Sequence, residues 1–380
     1  MREVAIIGVG IHPFGRFPDK RFQDMTRQAI TESLKDAGVA WKQIQTAYCG
    51  CYTLSVAGHR ILGEVGLTGI PIVNVDNACA TAGSAFRLAY QAIATGIYDL
   101  AIAFGVEKMP KGFMATDTYT MEPRHLVGAT NPLYWSLAFR RHQAKYGTTE
   151  KQLGMISVKN HKNAVHNPNA MYRKEMSLEE VMNSVIVCDP LRLFMLCAPN
   201  DGAAAAILCS ADKARQFTGK PIKIAACVLA CGRYGGPMPA IPDFSCSARV
   251  EVPPVTEFAS QEAYKIAGLG PEDLNLAEIQ DTCSWNEIEY MEQLGFCKPG
   301  EAGHLIEEGK TLPESKLPIN VSGGLLSKGE PVGASALGQV HEVVIQLRGQ
   351  AGPRQVAGAK VGLTHVYGGA DNSAVIILKK

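Results

Sequence analysis

Cys79 stands in the run Asn77-Ala78-Cys79-Ala80-Thr81-Ala82-Gly83, where an apolar stretch gives way to small residues. A strand handing over to a helix here would place the thiol among unpaired helix N–H groups. Those groups and the helix dipole favour negative charge, so they bias the sulfur toward thiolate. They could also hold the oxyanion of an attacked thioester. The alternative is a buried, inert cysteine in a close-packed helix. Rival chemistries lack their residues. Gly8-x-Gly10 is followed by Pro13 where a dinucleotide fingerprint needs its third glycine. No Walker A sequence, nucleophile-elbow serine or zinc-protease motif occurs. Cys49-Gly50-Cys51 and the Cys227/Cys231 pair lack companions at zinc-finger spacing, so no metal site is expected.

The elements that would position Cys79 follow from apolar spacing. Val4–Val9 predicts a buried strand, and Phe22–Ala37 a helix stopped by Gly38. Thr46–Thr53 and Ile70–Asn77 read as strands, Ala80–Thr95 as a helix and Tyr98–Val106 as another strand. Ala82, Ala85, Phe86, Ala89 and Ile93 share one face of that helix, and its small residues allow close backbone approach. From about Lys108 to Leu193 the texture changes to Met, Pro, Asn and His, with helical pieces at Leu133–Tyr146 and Leu178–Val185. This is expected to be an inserted loop region carrying substrate contacts. Asp201–Ser210 and Ile222–Leu229 return to strand character. Beyond Phe244 come helices at Glu257–Ala267, Trp285–Leu294 and near Ala334–Gly349, and strands at Ala277–Thr282, Lys360–Val366 and Ser373–Leu378. The order strand, turn, small-residue helix, strand at residues 72–106 recurs at 318–366. The expectation is a duplicated α/β protein with an N-terminal half over residues 1–243 and a C-terminal half over 244–380.

Composition restricts the rest. A chain of 380 residues, 46% hydrophobic and with 38 Gly, suits a two-part α/β enzyme with a large core. A formal charge of +1 with mixed signs argues against a nucleic-acid binder. The 11 cysteines are scattered through apolar stretches rather than spaced as a disulfide framework. The N-terminal residues show no leader pattern and no stretch has the length of a membrane span. A reduced, soluble, cytoplasmic protein is expected.

Taken together, the segments resemble the thiolase superfamily, and within it the sterol-carrier-protein-type and acetyl-CoA acetyltransferase-like branch, over nearly the whole chain. Asn77–Gly83 is similar to the family's nucleophile motif, which puts the acyl-accepting cysteine at Cys79. Lys159-Asn160-His161-Lys162-Asn163-Ala164 with Asn167-Pro168-Asn169-Ala170 resembles the branch's loop-region signature, and Asp201-Gly202-Ala203-Ala204-Ala205 the strand that follows it. Asn320-Val321-Ser322-Gly323-Gly324 and Gly329-Glu330-Pro331 resemble the Asn-x-Ser-Gly-Gly and Gly-His-Pro blocks. The resemblance implies two duplicated βαβαβ-type halves in a five-layered α-β-α-β-α arrangement.

Three positions depart from the family pattern or carry its remaining groups. Glu330 replaces the histidine that normally helps to form the thiolate. A carboxylate there opposes ionisation of Cys79 unless it is protonated or paired, so Glu330 is either a proton acceptor raised by burial or a surface side chain without a role. Gln280-Asp281-Thr282-Cys283 replaces His-Asp-Cys-Phe, so Cys283 reaches a catalytic position only if the backbone bulges. Gln280 is a candidate for holding a water or thioester oxygen, and Asn320 a second positioning residue. His365 stands where the branch has a histidine before Gly368-Gly369; it is either a base or a core histidine bonded to backbone. The two glycines would let N–H groups approach a thioester oxygen.

The reaction implied is thiolase-type acyl transfer. Cys79 attacks the β-keto carbon of a CoA thioester, the adjacent carbon–carbon bond breaks, and CoA, a co-substrate rather than a bound cofactor, resolves the acyl-cysteine. The altered acid/base groups suggest a branched or aromatic acyl group. Two other readings stay open: a retro-aldolase of a β-hydroxyacyl-CoA, and a non-catalytic acyl-CoA-binding or scaffold subunit. A homodimer and a small zinc-ribbon/OB-fold partner subunit are what the resemblance implies about assembly.

Overall fold

The computed structural model describes residues 1–112, 131–233, 253–369 and 371–380. Its strands are β1 (Val4–Gly15), β2 (Thr46–Gly50), β3 (Ile72–Val75), β4 (Leu100–Lys108), β5 (Ile186–Cys188), β6 (Leu191–Arg192), β7 (Asp201–Ser210), β8 (Ile222–Cys231), β9 (Leu276–Glu278), β10 (Val361–Gly368) and β11 (Asn372–Lys379). Among the described residues, the helices of nine residues or more are α1 (Phe22–Ala37), α2 (Ala57–Val65), α3 (Thr81–Ala94), α4 (Asn131–Tyr146), α5 (Glu150–Ala164), α6 (Val255–Ala267), α7 (Ser284–Gln293) and α8 (Ser335–Arg348).

The duplication is visible in strand order. One half reads β3-β2-β4-β7-β1 and the other continues β8-β11-β10-β9, with Ile319 bridged in parallel to Ala277 of β9. Within the first half β2 is parallel to β3 and β4, while β7 runs antiparallel to β4 and β1. The second half repeats this: β9 is parallel to β10 and to Ile319, and β11 is antiparallel to β10 and β8. The two halves meet where β1 and β8 pair at Ala5–Lys223 and Ile6–Ile222. By pairing, β8 already belongs to the second half. The break expected between residues 243 and 244 lies outside the described residues.

Three buried clusters separate the layers. Met25, Ile30, Ile61 and Leu62 of α1 and α2 pack on one face of the first half with Phe104 and Ile207. Phe86 and Ala89 of α3 and Val340 and Val343 of α8 fill the space between the two halves, against Ala204 and Ile376. Ala259 of α6 and Ile288 of α7 cover the far face of the second half. The order is helix, sheet, helix, sheet, helix, as the resemblance implied. Small residues make the central layer possible: a Cβ on Gly83 would meet Ala374 Cβ at 2.9 Å.

Three elements differ from expectation. Helix α5 was not legible because its buried face is polar, with Lys159, Asn160, His161 and Asn163 turned inward. Its start is fixed by a capping box, Gln152 N donating to Thr149 Oγ1 at 3.2 Å and Thr149 N to Gln152 Oε1 at 2.8 Å. The strand expected over Ala277–Thr282 stops at Glu278, because Ile279 N donates to Asn320 Oδ1 at 2.8 Å instead of continuing the ladder. Residues 279–282 are thereby released to carry side chains into the site. The helix expected over Leu178–Val185 ends at Met182.

Candidate active site

Cys79 is presented by an elbow between β3 and α3. Ala80 N donates to Asn77 O at 3.0 Å and Thr81 N to Ala78 O at 3.0 Å, closing two tight turns. Ala78 is held at φ 48°, a conformation that costs a non-glycine residue about 1–2 kcal/mol. Side chains hold the strained turn: Asn77 N donates to Thr81 Oγ1 at 2.8 Å, Asn77 Nδ2 to Ser84 Oγ at 2.7 Å, and Ala78 N to Asp76 Oδ1 at 3.0 Å. The sulfur, half-buried, therefore stands at the N-terminus of a 14-residue helix, facing a cavity of about 550 Å³.

The second sheet closes on this elbow through Gly368. A Cβ there would lie 2.4 Å from Asn77 O and 2.9 Å from Ala80 N, so only glycine permits the approach. The next residue, Gly369, turns its N–H toward the Cys79 thiol, as does the amide of Cys79 itself. These are the two backbone donors aimed at the sulfur, the arrangement expected for an oxyanion site.

Glu330 faces Cys79 from the loop before α8. It is 3% exposed and lines the same cavity, so the surface-facing alternative is excluded. Gln280 Nε2 donates to Glu330 Oε1 at 2.8 Å, Thr282 Oγ1 to the same oxygen at 3.4 Å, and Cys197 Sγ to Oε2 at 3.1 Å. The Cys79 thiol also hydrogen-bonds the carboxyl. Burial pushes Glu330 above the usual carboxylate range, and these four donors only partly offset it. Burial, followed by the Glu330 charge, pushes Cys79 and Cys197 well above ordinary thiols. All of Glu330's named partners are neutral groups. With the carboxyl ionised, moving the Cys79 proton to Glu330 therefore creates no second charge in the cluster.

The supporting shell is a buried polar network. Asn320, itself at φ 56°, accepts from Ile279 N and donates to Glu287 Oε2 at 2.8 Å. Lys159 Nζ bonds Glu287 Oε1 at 2.5 Å, and Asn160 Nδ2 bridges Glu287 Oε2 at 2.9 Å and Asp281 Oδ2 at 2.8 Å. Asp281 also accepts from Leu325 N at 2.6 Å. Asn320 does not line the cavity, so it positions the 279–282 segment rather than the substrate. Gln280 likewise acts on Glu330, not on the cavity.

Two expected groups are not brought to this site. Cys283 is 0% exposed, precedes α7 as its N-cap residue and gives its thiol to Asn286 Oδ1 at 3.2 Å, outside the cavity lining. No bulge returns it. His365 is also 0% exposed; its Nε2 pairs with Thr256 Oγ1 at 3.1 Å and its ring packs on Tyr290. Burial alone pushes it down to about 3, so it stays neutral and off the cavity. It is a core histidine, held by a side-chain hydroxyl rather than by backbone. Three cavity residues escaped the sequence reading as chemical groups: Cys197, Thr282 and His161. Burial pushes His161 down to about 4, and its Nδ1 meets Ser327 Oγ at 3.2 Å. The polar face of α5 was the available signal for His161. Cys197 had only its place four residues before Asp201.

The remaining lining is apolar, including Trp135, Met171, Met176, Leu193, Phe194 and Leu326, with Arg16 and Lys111 as cations. Among the described residues no group of three or more His, Cys, Asp or Glu could hold a metal ion, and no helix is long and apolar enough to cross a membrane.

Comparison with known proteins matches this geometry to a family. A thiolase N-terminal domain model covers residues 4–212 and a thiolase C-terminal domain-like model residues 246–380. The chain belongs to the thiolase superfamily. Within this superfamily it is 41% identical to the acetyl-CoA acetyltransferase of Methanothermobacter thermautotrophicus over 99% of each chain. It is 36% identical to sterol carrier protein 2 of Bos taurus over 96% of this chain and 70% of that one. It is 35% identical to the benzoylsuccinyl-CoA thiolase subunit BbsB of Thauera aromatica, over 97% and 95%. The solved Ltp2-ChsH2(DUF35) aldolase has the same fold, with a TM-score of 0.87 at 24% identity over 99% and 98%. The protein is a thiolase-family acyl-CoA acyltransferase, a family for which CoA is a substrate.

Proposed function

We propose that this thiolase-family protein breaks or forms the carbon–carbon bond of a β-ketoacyl-CoA through an acyl-Cys79 intermediate, with Glu330 as the proton acceptor. The observation that carries this is the Cys79–Glu330 contact in the cavity lining, beside the Gly369 and Cys79 amides. The thiol proton passes to the carboxylate as sulfur bonds the β-carbon. The carbonyl electron pair moves to oxygen, facing the two N–H groups. Collapse breaks the bond between the α and β carbons and leaves the pair on the α carbon, which takes up one proton, in net the one Glu330 received from Cys79, so that Glu330 is a carboxylate again. CoA then attacks acyl-Cys79, and its thiol proton returns through Glu330 to the Cys79 sulfur. The lining of Trp135, Phe194, Leu193 and three methionines supports a bulky apolar acyl group, branched or aromatic, and Arg16 and Lys111 suit the phosphates of CoA. CoA enters and leaves as a co-substrate, and no permanently bound cofactor is part of this reading.

One observation favours a second reading. A carboxylate rather than an imidazole faces the cavity, and it could take the hydroxyl proton of a β-hydroxyacyl-CoA in a retro-aldol cleavage without acyl-Cys79. The fold shared with an aldolase is compatible with this. A homodimer, a small zinc-ribbon/OB-fold partner and a cytoplasmic location complete the proposal; the partner finds its support in the two-component name of the aldolase complex. The experiment is to incubate β-ketoacyl- and β-hydroxyacyl-CoA thioesters with wild type and Cys79→Ser, then follow products and intact mass. Ketoacyl cleavage that needs CoA, with an adduct only on wild type, supports the acyltransferase. Hydroxyacyl cleavage by both proteins without CoA establishes the aldolase. Turnover of neither, with any co-purifying partner present, points to a binding subunit.

A further inference from the structure

Cys197 is the second thiol in the cavity, and nothing above gives it a chemical task. Its position is firmly set. Cys197 N donates to Thr282 O at 2.8 Å, Leu196 bridges Cys283, and Pro199 bridges Glu330, so its backbone is tied to both walls of the site. The sulfur lines the cavity and bonds Glu330 Oε2, while Gln280 and Thr282 occupy Oε1. Glu330 is thus flanked by two thiols and clamped on its other oxygen.

We infer that Cys197 is the acid that protonates the α carbon after cleavage and, as thiolate, the base that deprotonates it before condensation. This assignment rests on the acyl-Cys79 reading. Carbon–carbon cleavage leaves an electron pair on the α carbon, which needs a proton donor that reaches into the cavity. Glu330 holds the proton taken from Cys79 but is clamped by Gln280 and Thr282; Cys197 is open to the cavity and bonded to the same carboxyl. The balance is complete within the cluster. Cys197 Sγ–H gives its proton to the α carbon and becomes a thiolate. The protonated Glu330 then returns the Cys79 proton to Cys197, restoring both. The net result moves one proton from Cys79 to the product and uses no outside reagent. In condensation the same steps run backwards. The other candidates are less suited: His365 and Cys283 do not line the cavity, and His161, which does, is held neutral by burial and pairs its Nδ1 with Ser327 Oγ at 3.2 Å.

The test separates two half-reactions of the intact protein. Acyl exchange between acetyl-CoA or propionyl-CoA and labelled CoA needs only Cys79 and Glu330. Exchange of the α hydrogens of the same thioesters in heavy water needs the α-carbon base. Cys197→Ala is expected to lose α-hydrogen exchange by about 10²-fold or more, the scale of a general base, while acyl exchange stays within a few-fold. Cys197→Ser, which keeps volume and hydrogen bonding, should show the same split and guards against a packing defect. An alanine variant that exchanges α hydrogens at the wild-type rate overturns the assignment. So does equal loss of both reactions in the two variants, since Cys197 would then serve the nucleophile. Failure of the wild type to exchange CoA with these thioesters and with branched or aromatic acyl-CoA thioesters removes the acyl-Cys79 reading, and this assignment with it.

Discussion

Cys79 and Glu330 reach one another from equivalent places in the two halves of the duplicated fold. Cys79 precedes α3, the helix between the third and fourth strands of the first half, and Glu330 precedes α8, the corresponding helix of the second. Both helix N-termini open toward the ends of the parallel strands, where α/β sheets place their ligands. The approach is tight: Gly333 N donates to the buried Glu107 at 3.2 Å, and a Cβ on Gly105 would come 2.0 Å from Gly333 O.

The elbow depends on Gly368 in the same way. Gly368→Ala should lower stability by about 1–3 kcal/mol, because its methyl group would overlap Asn77 O and force the turn outward. Denaturant unfolding measures the loss. Cys79 acylation should slow in the variant under conditions where it remains folded, because the sulfur moves with the turn.

The network behind Glu330 should be costly to break on one side. Lys159→Met removes the cation paired with Glu287, whose side chain is 0% exposed, and leaves a buried carboxylate facing Asp281. A loss of about 3–5 kcal/mol is expected for an unpaired buried charge. Replacing Lys159 and Glu287 together by Met and Gln should restore part of it. Double-mutant unfolding curves read the coupling.

His365 predicts an acid-stability effect without a catalytic one. Its folded value of about 3 lies below the ordinary 6.5, so the unfolded chain binds a proton that the folded chain refuses. Its contribution is therefore present above pH 6.5 and is lost as pH falls toward 3. At about 1.36 kcal/mol per pH unit, the loss is roughly 2 kcal/mol by pH 5. His365→Asn should flatten this part of the stability–pH curve while kcat at pH 7.5 stays within about twofold. A large drop in kcat with normal stability would return His365 to the catalytic list.

The fold was legible in the sequence because its signals are local and repeated. Apolar runs such as Asp201–Ser210 and the small-residue helix after Cys79 have one structural solution each, and their recurrence after residue 318 announced a duplication. Cys79 itself was legible from its place at a strand–helix junction. Glu330 was visible as a departure, but whether it faced the cavity depended on the loop before α8. Cys283 and His365 stayed open in the sequence for a common reason: order along the chain cannot say which side of a strand end faces the cavity. Cys283 caps α7, one residue past the strand expected over Ala277–Thr282, and His365 turns to Thr256 and Tyr290. Cys197 and α5 were missed because their environment is made by contacts more than 100 residues apart, such as Cys197 with Glu330 and Asn160 with Asp281.

The proton path from Cys79 to Glu330 is tested most directly by the rate of Cys79 acylation by acetyl-CoA across pH, followed by intact mass. With burial holding the carboxyl above the usual range, it is protonated and unable to accept at low pH. Wild-type acylation should therefore fall as pH drops through a value above the ordinary glutamate pKa of 4.5. Glu330→Gln should acylate about 10²–10⁴-fold more slowly at neutral pH and show no such limb, its residual rate rising only as the free thiol ionises. Glu330→His should recover much of the rate with a shifted profile. A glutamine variant that acylates Cys79 at the wild-type rate, with the wild-type pH profile, would contradict the account.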